Sequence, residues 1–246
     1  MRNLSFAFLI FTIIACKEKQ VEKLDAQQII DKSIEVSGGM YHQNSDVYFS
    51  FRDKRYEAHM ENGKKTLKRI TNTDSIKIVD VKEPNTFNRF FNDSLISLPD
   101  SISNRYSNAV NSVHYFARLP FGLNDPAVKK ELLGEVEING TAYYKVQVTF
   151  DQEGGGDDFD DIYIYWFNKT SFKPDFLAYE FHVNGGGVRF REAYNERYVN
   201  GIRFVDYNNF KTTNKDHSVF ESDGLFENKS LELLSKIELK DIKVER

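Results

Sequence analysis

Asn-Gly pairs punctuate this chain between runs in which apolar and polar residues alternate, and that pattern confines it to hairpin-connected antiparallel strands. Asn62-Gly63, Asn139-Gly140 and Asn200-Gly201 each offer two residues that accept the positive φ of a type I′ turn. The first pair lies between residues 55–61 and 64–71, the second between 135–138 and 142–150, the third between 188–199 and 202–210. A two-residue turn at Asn200-Gly201 sets Val199 opposite Ile202, Tyr198 opposite Arg203 and Arg197 opposite Phe204. Period-two alternation is carried by Val47, Phe49 and Phe51, by Tyr144, Val146, Val148 and Phe150, and by Leu177, Tyr179, Phe181 and Val183. Residues 75–81, 218–222 and 231–244 read as further strands, and 161–167 is apolar on both faces. With 21 Phe and 13 Tyr at a mean hydropathy of −0.53, the composition fits strands with one apolar and one wet face.

Helix signals are few. Over 25–37, Asp25 stands as a cap, Ala26, Ile29, Ile30, Ser33 and Ile34 recur at helical spacing, and Gly38-Gly39 supplies the stop. Asn124-Asp125-Pro126 predicts a short helix through Leu132, and residues 84–112, mixing Asn, Ser and aromatics, have no clear period. The sequence therefore predicts a mainly β fold with a few helices. It is a curled antiparallel sheet or open, unclosed β-barrel of roughly ten strands, with the N-terminal helix on or in the concave face. No linker or repeat divides 25–246, which reads as a single open-barrel domain.

The first 24 residues have a different character. Arg2 precedes an uncharged stretch, LSFAFLIFTIIA at 4–15, which suits a secretory h-region and is too short to span a bilayer. Ile13-Ile14-Ala15-Cys16 then forms a lipobox, and here the chain resembles a bacterial lipoprotein. That resemblance implies a signal peptide at 1–15, cleavage after Ala15, diacylglyceryl transfer to the Cys16 thiol and usually acylation (palmitate or a similar chain) of the new N-terminus. Residues 16–24 become a lipidated cysteine with a charged tether, and two or three acyl chains anchor stably where one is marginal. The blander reading is a buried core cysteine in a short apolar strand. Cys16 is the sole cysteine, so no intramolecular disulfide supports the fold.

Two further resemblances rest on longer stretches. GTAYYKVQVTF at 140–150, an acidic loop, then DIYIYWFNKTSFKPDFLAYEF at 161–181 resembles the lipoprotein-carrier superfamily of the outer-membrane lipoprotein-sorting pathway. SFRDKRY at 50–56 and NGGGVRFREAYNERYVNGIRFVDYNNF at 184–210 look like a group of uncharacterised Bacteroidota-type envelope lipoproteins. The carrier resemblance implies a hydrophobic concave face able to receive acyl chains, and an address in the bacterial envelope, at the outer membrane on its periplasmic face or the cell surface. It transfers no functional residue.

Other constellations are weaker. Asp151, Glu153, Asp157, Asp158, Asp160 and Asp161 surround Gly154–Gly156 and offer oxygen ligands for calcium, but the spacing matches no EF-hand, and a solvated loop that guards a sheet edge is the better reading. Asn184-Gly185-Gly186-Gly187 leads into a strand, not a helix, so it reads as a tight turn. His42, His59, His114, His182 and His217 are scattered without metal-ligand spacing, and no nucleophile elbow occurs. The sequence thus names no catalytic residue, metal or cofactor. Net charge −4 with interspersed signs argues against a nucleic-acid surface. Arg189, Arg191 and Arg197 recur along one strand and suit either an anionic headgroup or carboxylate neighbours across the sheet.

The leading expectation is a membrane-anchored, non-enzymatic lipoprotein that binds an apolar or amphipathic ligand, a lipid or lipidated protein, on the concave sheet face. Phe49, Phe51, Tyr144, Val146, Val148, Phe150, Leu177, Tyr179 and Phe181 are its candidate lining. The alternative is an interaction lipoprotein with a filled core that acts through its outer surface, and behind both stands a hydrolase with an unrecognised site. Replacing Cys16 with Ala is expected to abolish incorporation of a clickable palmitate analogue and to move the protein from the membrane to the soluble fraction on flotation.

Overall fold

The computed structural model describes residues 23–61, 64–153, 159–182, 185–212 and 217–246, so Cys16, the Asn62-Gly63 turn and Gly154–Asp158 of the acidic loop lie outside the described residues. The remainder forms two seven-stranded antiparallel sheets that do not close into a barrel. Strands β1 (Asp46–Phe51), β2 (Lys54–Glu61), β3 (Lys64–Asn72), β4 (Lys77–Lys82), β5 (Phe87–Phe91) and β6 (Ser94–Ile96) make a meander. Strands β7 (Val128–Ile138), β8 (Thr141–Phe150), β9 (Ile162–Asn168), β10 (Pro174–Phe181), β11 (Gly187–Val199), β12 (Ile202–Thr212) and β13 (Leu231–Ile237) make a second. The fourteenth strand, β14 (Lys240–Glu245), leaves the second sheet and pairs with β1 of the first, Val47 opposite Val244.

The hairpins follow the turn chemistry. Asn139 and Gly140 take φ 50° and 76°, Asn200 and Gly201 take 45° and 79°. Across Asn200-Gly201 the register pairs Val199 with Ile202, Tyr198 with Arg203 and Arg197 with Phe204, as the two-residue turn requires. One carboxylate secures the place where the chain changes sheets. Buried Asp206 of β12 accepts from Arg197 Nη2 at 2.8 Å, from Asn195 Nδ2 at 2.6 Å and from the Leu239 amide at 2.9 Å, between β13 and β14.

Helix α1 (Ala26–Val36) begins with a capping box: the Gln28 amide donates to Asp25 Oδ1 at 2.8 Å and the Asp25 amide to Gln28 Oε1 at 2.9 Å. Gly38 ends it at φ 94°, where a Cβ would stand 1.9 Å from the Gly201 carbonyl oxygen. After the short α2 (Gly39–His42) the chain enters β1. Ala26, Ile29 and Ile30 of α1 pack on Val146, Val148, Tyr165, Phe167 and Leu177, so the N-terminal helix lies on the concave face of the second sheet.

Three local expectations differ from the structure. Residues 84–112, unassigned in the sequence, contain β5, β6 and most of α3 (Asp100–Ala117), the longest helix. The short helix expected from Asn124 to Leu132 is instead a 3₁₀ turn at Phe121–Asn124 followed by the start of β7, because pairing with β8, Val128 opposite Phe150, outweighs a local helix start. Residues 218–222 form a 3₁₀ turn and the first residue of α4 (Ser222–Glu227) rather than a strand. Val219 and Phe226 there cover the outer face of the second sheet, where Phe226 stacks on Phe190 at 4.8 Å beside Trp166 and Phe176. That cover explains why 161–167 is apolar on both faces: Ile164 and Trp166 face α4, Tyr165 and Phe167 face α1.

The first sheet packs its inner face on α3 through Phe49, Tyr56 and Val110. His114 meets the rings of Phe49 and Tyr56 edge-on and its Nε2 lies 3.0 Å from the Lys68 carbonyl, while His42 stacks on Phe121 at 4.0 Å. Burial pushes His42 down to about 2 and His114 to about 3, with the positive field of Arg118 and Lys65 adding to the effect. Below the unfolded value of 6.5 the unfolded chain takes up protons that the folded chain refuses, so this stability is present above 6.5 and lost as pH falls. From pH 7 to about pH 5.5 the two histidines are expected to remove roughly 2–3 kcal/mol, read by urea unfolding, and His42→Phe to remove about half of that dependence.

Candidate ligand cavity

Helix α3 crosses from the first sheet to the second, and its C-terminal turns stand over the concave face without filling it. What fixes them there is a buried tyrosine pair: Tyr115 of α3 and Tyr165 of β9 share a hydrogen bond at 2.7 Å, and burial pushes both phenols up. With the helix held in that position, a cavity of about 410 Å³ remains between it, the concave side of β9 to β13 and the end of β1. This lies within the ~300–1,000 Å³ range of small-molecule sites.

The helix side of the cavity is Ser112, Val113, Phe116 and Ala117. Opposite stand Tyr163 and Tyr179, stacked at 5.6 Å, with Phe181 beyond, and Val205, Tyr207 and Ile237 complete the apolar wall. Polar groups are few. Arg191, 7% exposed, places its guanidinium 3.9 Å from the centre of the Phe116 ring and donates from Nη2 to the Tyr179 hydroxyl at 3.0 Å. Among the described residues its Nε has no hydrogen-bond partner, and neither does Oδ1 of buried Asn209 on the neighbouring strand. Arg189 lies over Phe181 at 4.9 Å, and exposed Arg52 and buried Asp161 complete the charged lining. Three cations to one carboxylate, set in aromatic walls, suit a ligand with an apolar body and a negative end.

The nine candidate lining residues part into two groups. Phe51, Tyr179 and Phe181 line this cavity. Val146, Val148 and Leu177 lie under α1 in the core, with Tyr144 and Phe150 packed against them, and Phe49 is buried against Tyr56 and α3. Alternation identifies inward-facing residues, but which of them a helix covers depends on contacts distant in sequence. Of the arginine series, Arg189 and Arg191 reach the cavity, whereas a bulge after Tyr194 turns Arg197 to Asp206. The α3 contribution had no sequence signal, because half-buried Ser112 and Val113 beside an open space need no continuous apolar stripe. Among the described residues no three His, Cys, Asp or Glu side chains converge as metal ligands, and no helix is long and apolar enough to cross a membrane.

Replacing Tyr165 with Phe leaves the Tyr115 hydroxyl buried and unpaired, with an expected cost of about 1–3 kcal/mol in urea unfolding. The double change Tyr115→Phe, Tyr165→Phe is expected to cost clearly less than the sum of the two single changes.

Comparison with known proteins places these features. Residues 4–239 match the model of a family of unknown function, DUF6503. No curated protein sequence matches the chain. Among solved structures, similar ones include a LolA superfamily protein from Nitrosomonas europaea, at 14% identity over 91% of this chain and 93% of that one, TM-score 0.45. A DUF1329 family protein from Desulfovibrio piger is 9% identical over 89% and 92%, TM-score 0.49. The lipoprotein LppX of Mycobacterium tuberculosis is 13% identical over 65% and 88%, TM-score 0.28. These likenesses are distant.

Proposed function

We propose that this chain, which belongs to the DUF6503 family, is an envelope lipoprotein that binds the aliphatic part of an amphipathic ligand, a lipid or a lipidated protein, between α3 and the concave face of its second sheet. The observation that carries this reading is the cavity of about 410 Å³ with aromatic and aliphatic walls and an arginine whose Nε has no partner among the described residues. An apolar chain leaving water gains about 25 cal/mol for each Å² buried, which drives binding without a specific polar contact. Arg191 and Arg189 orient the ligand by receiving its negative end. In this proposal Cys16 is lipidated and the residues before Ala26 tether the domain to the membrane, at the outer membrane, so that the cavity works close to its source of lipid.

The interaction-protein alternative requires a filled interior, and the space under α3 speaks against it. Native mass spectrometry of the full-length protein, with uptake of a fluorescent fatty acid, tests the choice. The wild type is expected to carry or take up one acyl ligand. Ser112→Trp, which places an indole in the cavity from its half-exposed helix side, is expected to reduce uptake at least tenfold with an unchanged melting temperature. Arg191→Leu is expected to weaken a fatty acid more than its neutral methyl ester. A ligand-free mass together with no uptake by the wild type would overturn the lipid reading and leave the outer surface as the functional part.

A further inference from the structure

On the other flank of α3 lies a second, smaller cavity of different character. Arg118, the residue that caps the C-terminus of α3, is 6% exposed, yet among the described residues its Nε has no hydrogen-bond partner and its guanidinium no ion pair. Lys65 of β3 stands with it, likewise without an ion pair among the described residues. Both line a space of about 140 Å³, together with Asn111 and Tyr115 of α3, Gly122 and Asp125. Asp125 attracts both cations, but its side chain belongs to an exposed residue and pairs directly with neither.

The surroundings register this uncompensated charge. Burial pushes Arg118 down to about 10 and Lys65 to about 8, and the field of Arg118 adds to the effect on Lys65. The same two cations contribute to keeping His42 and His114 neutral. A desolvated guanidinium with no directly paired carboxylate is disfavoured, and proteins that bury one normally supply such a partner or take up an anion. Here the space to take one up exists beside the charge. It shares Lys65, Asn111, Asp125 and Ala127 with a larger depression lined also by Lys82 and by Glu83, Asp151 and Glu153, so the space is reached from the surface past carboxylates and its attraction for an anion rests on Arg118 and Lys65.

We propose that this cavity is a binding site for a small oxyanion, a phosphate or carboxylate group, held by the forked donors of Arg118 and the ammonium of Lys65, with the Asn111 amide at its mouth. A guanidinium receives two oxygens of such a group at once, and an ammonium receives the third. The site is separate from the lipid cavity: α3 presents Ser112, Val113, Phe116 and Ala117 to one and Asn111, Tyr115 and Arg118 to the other. Its existence does not depend on whether the larger cavity holds a lipid.

The test uses the full-length protein at pH 7 and constant ionic strength, in chloride, inorganic phosphate, acetate, or chloride with vesicles containing phosphatidic acid. Thermal melting and calorimetric titration are the readouts. Phosphate or acetate is expected to raise the wild-type melting temperature saturably by several degrees. Arg118→Gln is expected to abolish that shift while melting in chloride no lower than the wild type, since it removes an unpaired buried charge and not a structural bond. Should that variant fail to fold, Lys65→Gln is expected to weaken phosphate binding at least tenfold. A response to inorganic phosphate or acetate assigns the site to a free ion, and an Arg118-dependent response to the vesicles alone assigns it to a lipid headgroup. Identical wild-type melting in all four media, or an undiminished shift in both variants, overturns the proposal.

Discussion

The hydrogen bond between Tyr115 and Tyr165 is the constraint on which both cavities depend. It is the polar link that joins the last turns of α3 to the centre of the second sheet, in surroundings otherwise made of Phe116, Phe150 and Tyr163. A buried hydroxyl with a single partner has few alternatives, so the pair fixes both the depth and the rotation of the helix. With that rotation set, Phe116 and Ala117 must face the aromatic wall of β9 and β10, and Asn111 and Arg118 must face Lys65. The helix is therefore a partition: one side bounds an apolar space and the other a cationic one.

The two faces of the second sheet are finished differently. Outside, Val219 of the 3₁₀ turn and Phe226 of α4 seal Trp166, Phe176 and Phe190, and Asp223 accepts from both Lys145 Nζ at 2.9 Å and the Trp166 indole at 3.2 Å. Inside, α1 covers β8 and the middle of β9 and stops short of the ends of β10 to β13. The outer face is thus covered over Trp166, Phe176 and Phe190, whereas on the inner face Tyr163, Tyr179 and Phe181 border an open space beside Phe116. That asymmetry separates a cavity from an accident of loose packing, since interiors ordinarily leave no gap of this size.

How much of this the sequence disclosed follows from the range of the interactions. The turns at Asn139-Gly140 and Asn200-Gly201, the register across the second of them and the cap at Asp25 are contacts within a few residues, and all were legible. The length of α3 was not. Its residues are rich in Ser and Asn, and only Val110 and His114 are fully buried, so the helical stripe that burial normally writes into a sequence is faint. The β7 strand carried a misleading local start, Asn124-Asp125-Pro126, which sheet pairing overrode. At the site, alternation marked Tyr179 and Phe181 as inward-facing, but nothing near Val146 or Leu177 in sequence shows that α1 lies on them. The unpaired nitrogens of Arg118 and Arg191 are still less visible, because a missing partner leaves no trace in a string of residues.

The crossing of β14 to β1 bears on how the molecule is assembled. Val47 meets Val244, so the strand that opens the first meander gains its second neighbour only after the twelve intervening strands have been threaded past. Every other pair in either sheet joins strands that follow one another along the chain. Most of the structure therefore zips from short loops, and a single closure spans almost the whole polymer, at an entropic cost that must be met before its contacts form. Nucleation within either meander is expected to be fast, with the seam, Asp206 and Leu239 included, forming last. In that order the two meanders form first and the final strand then ties their edges together.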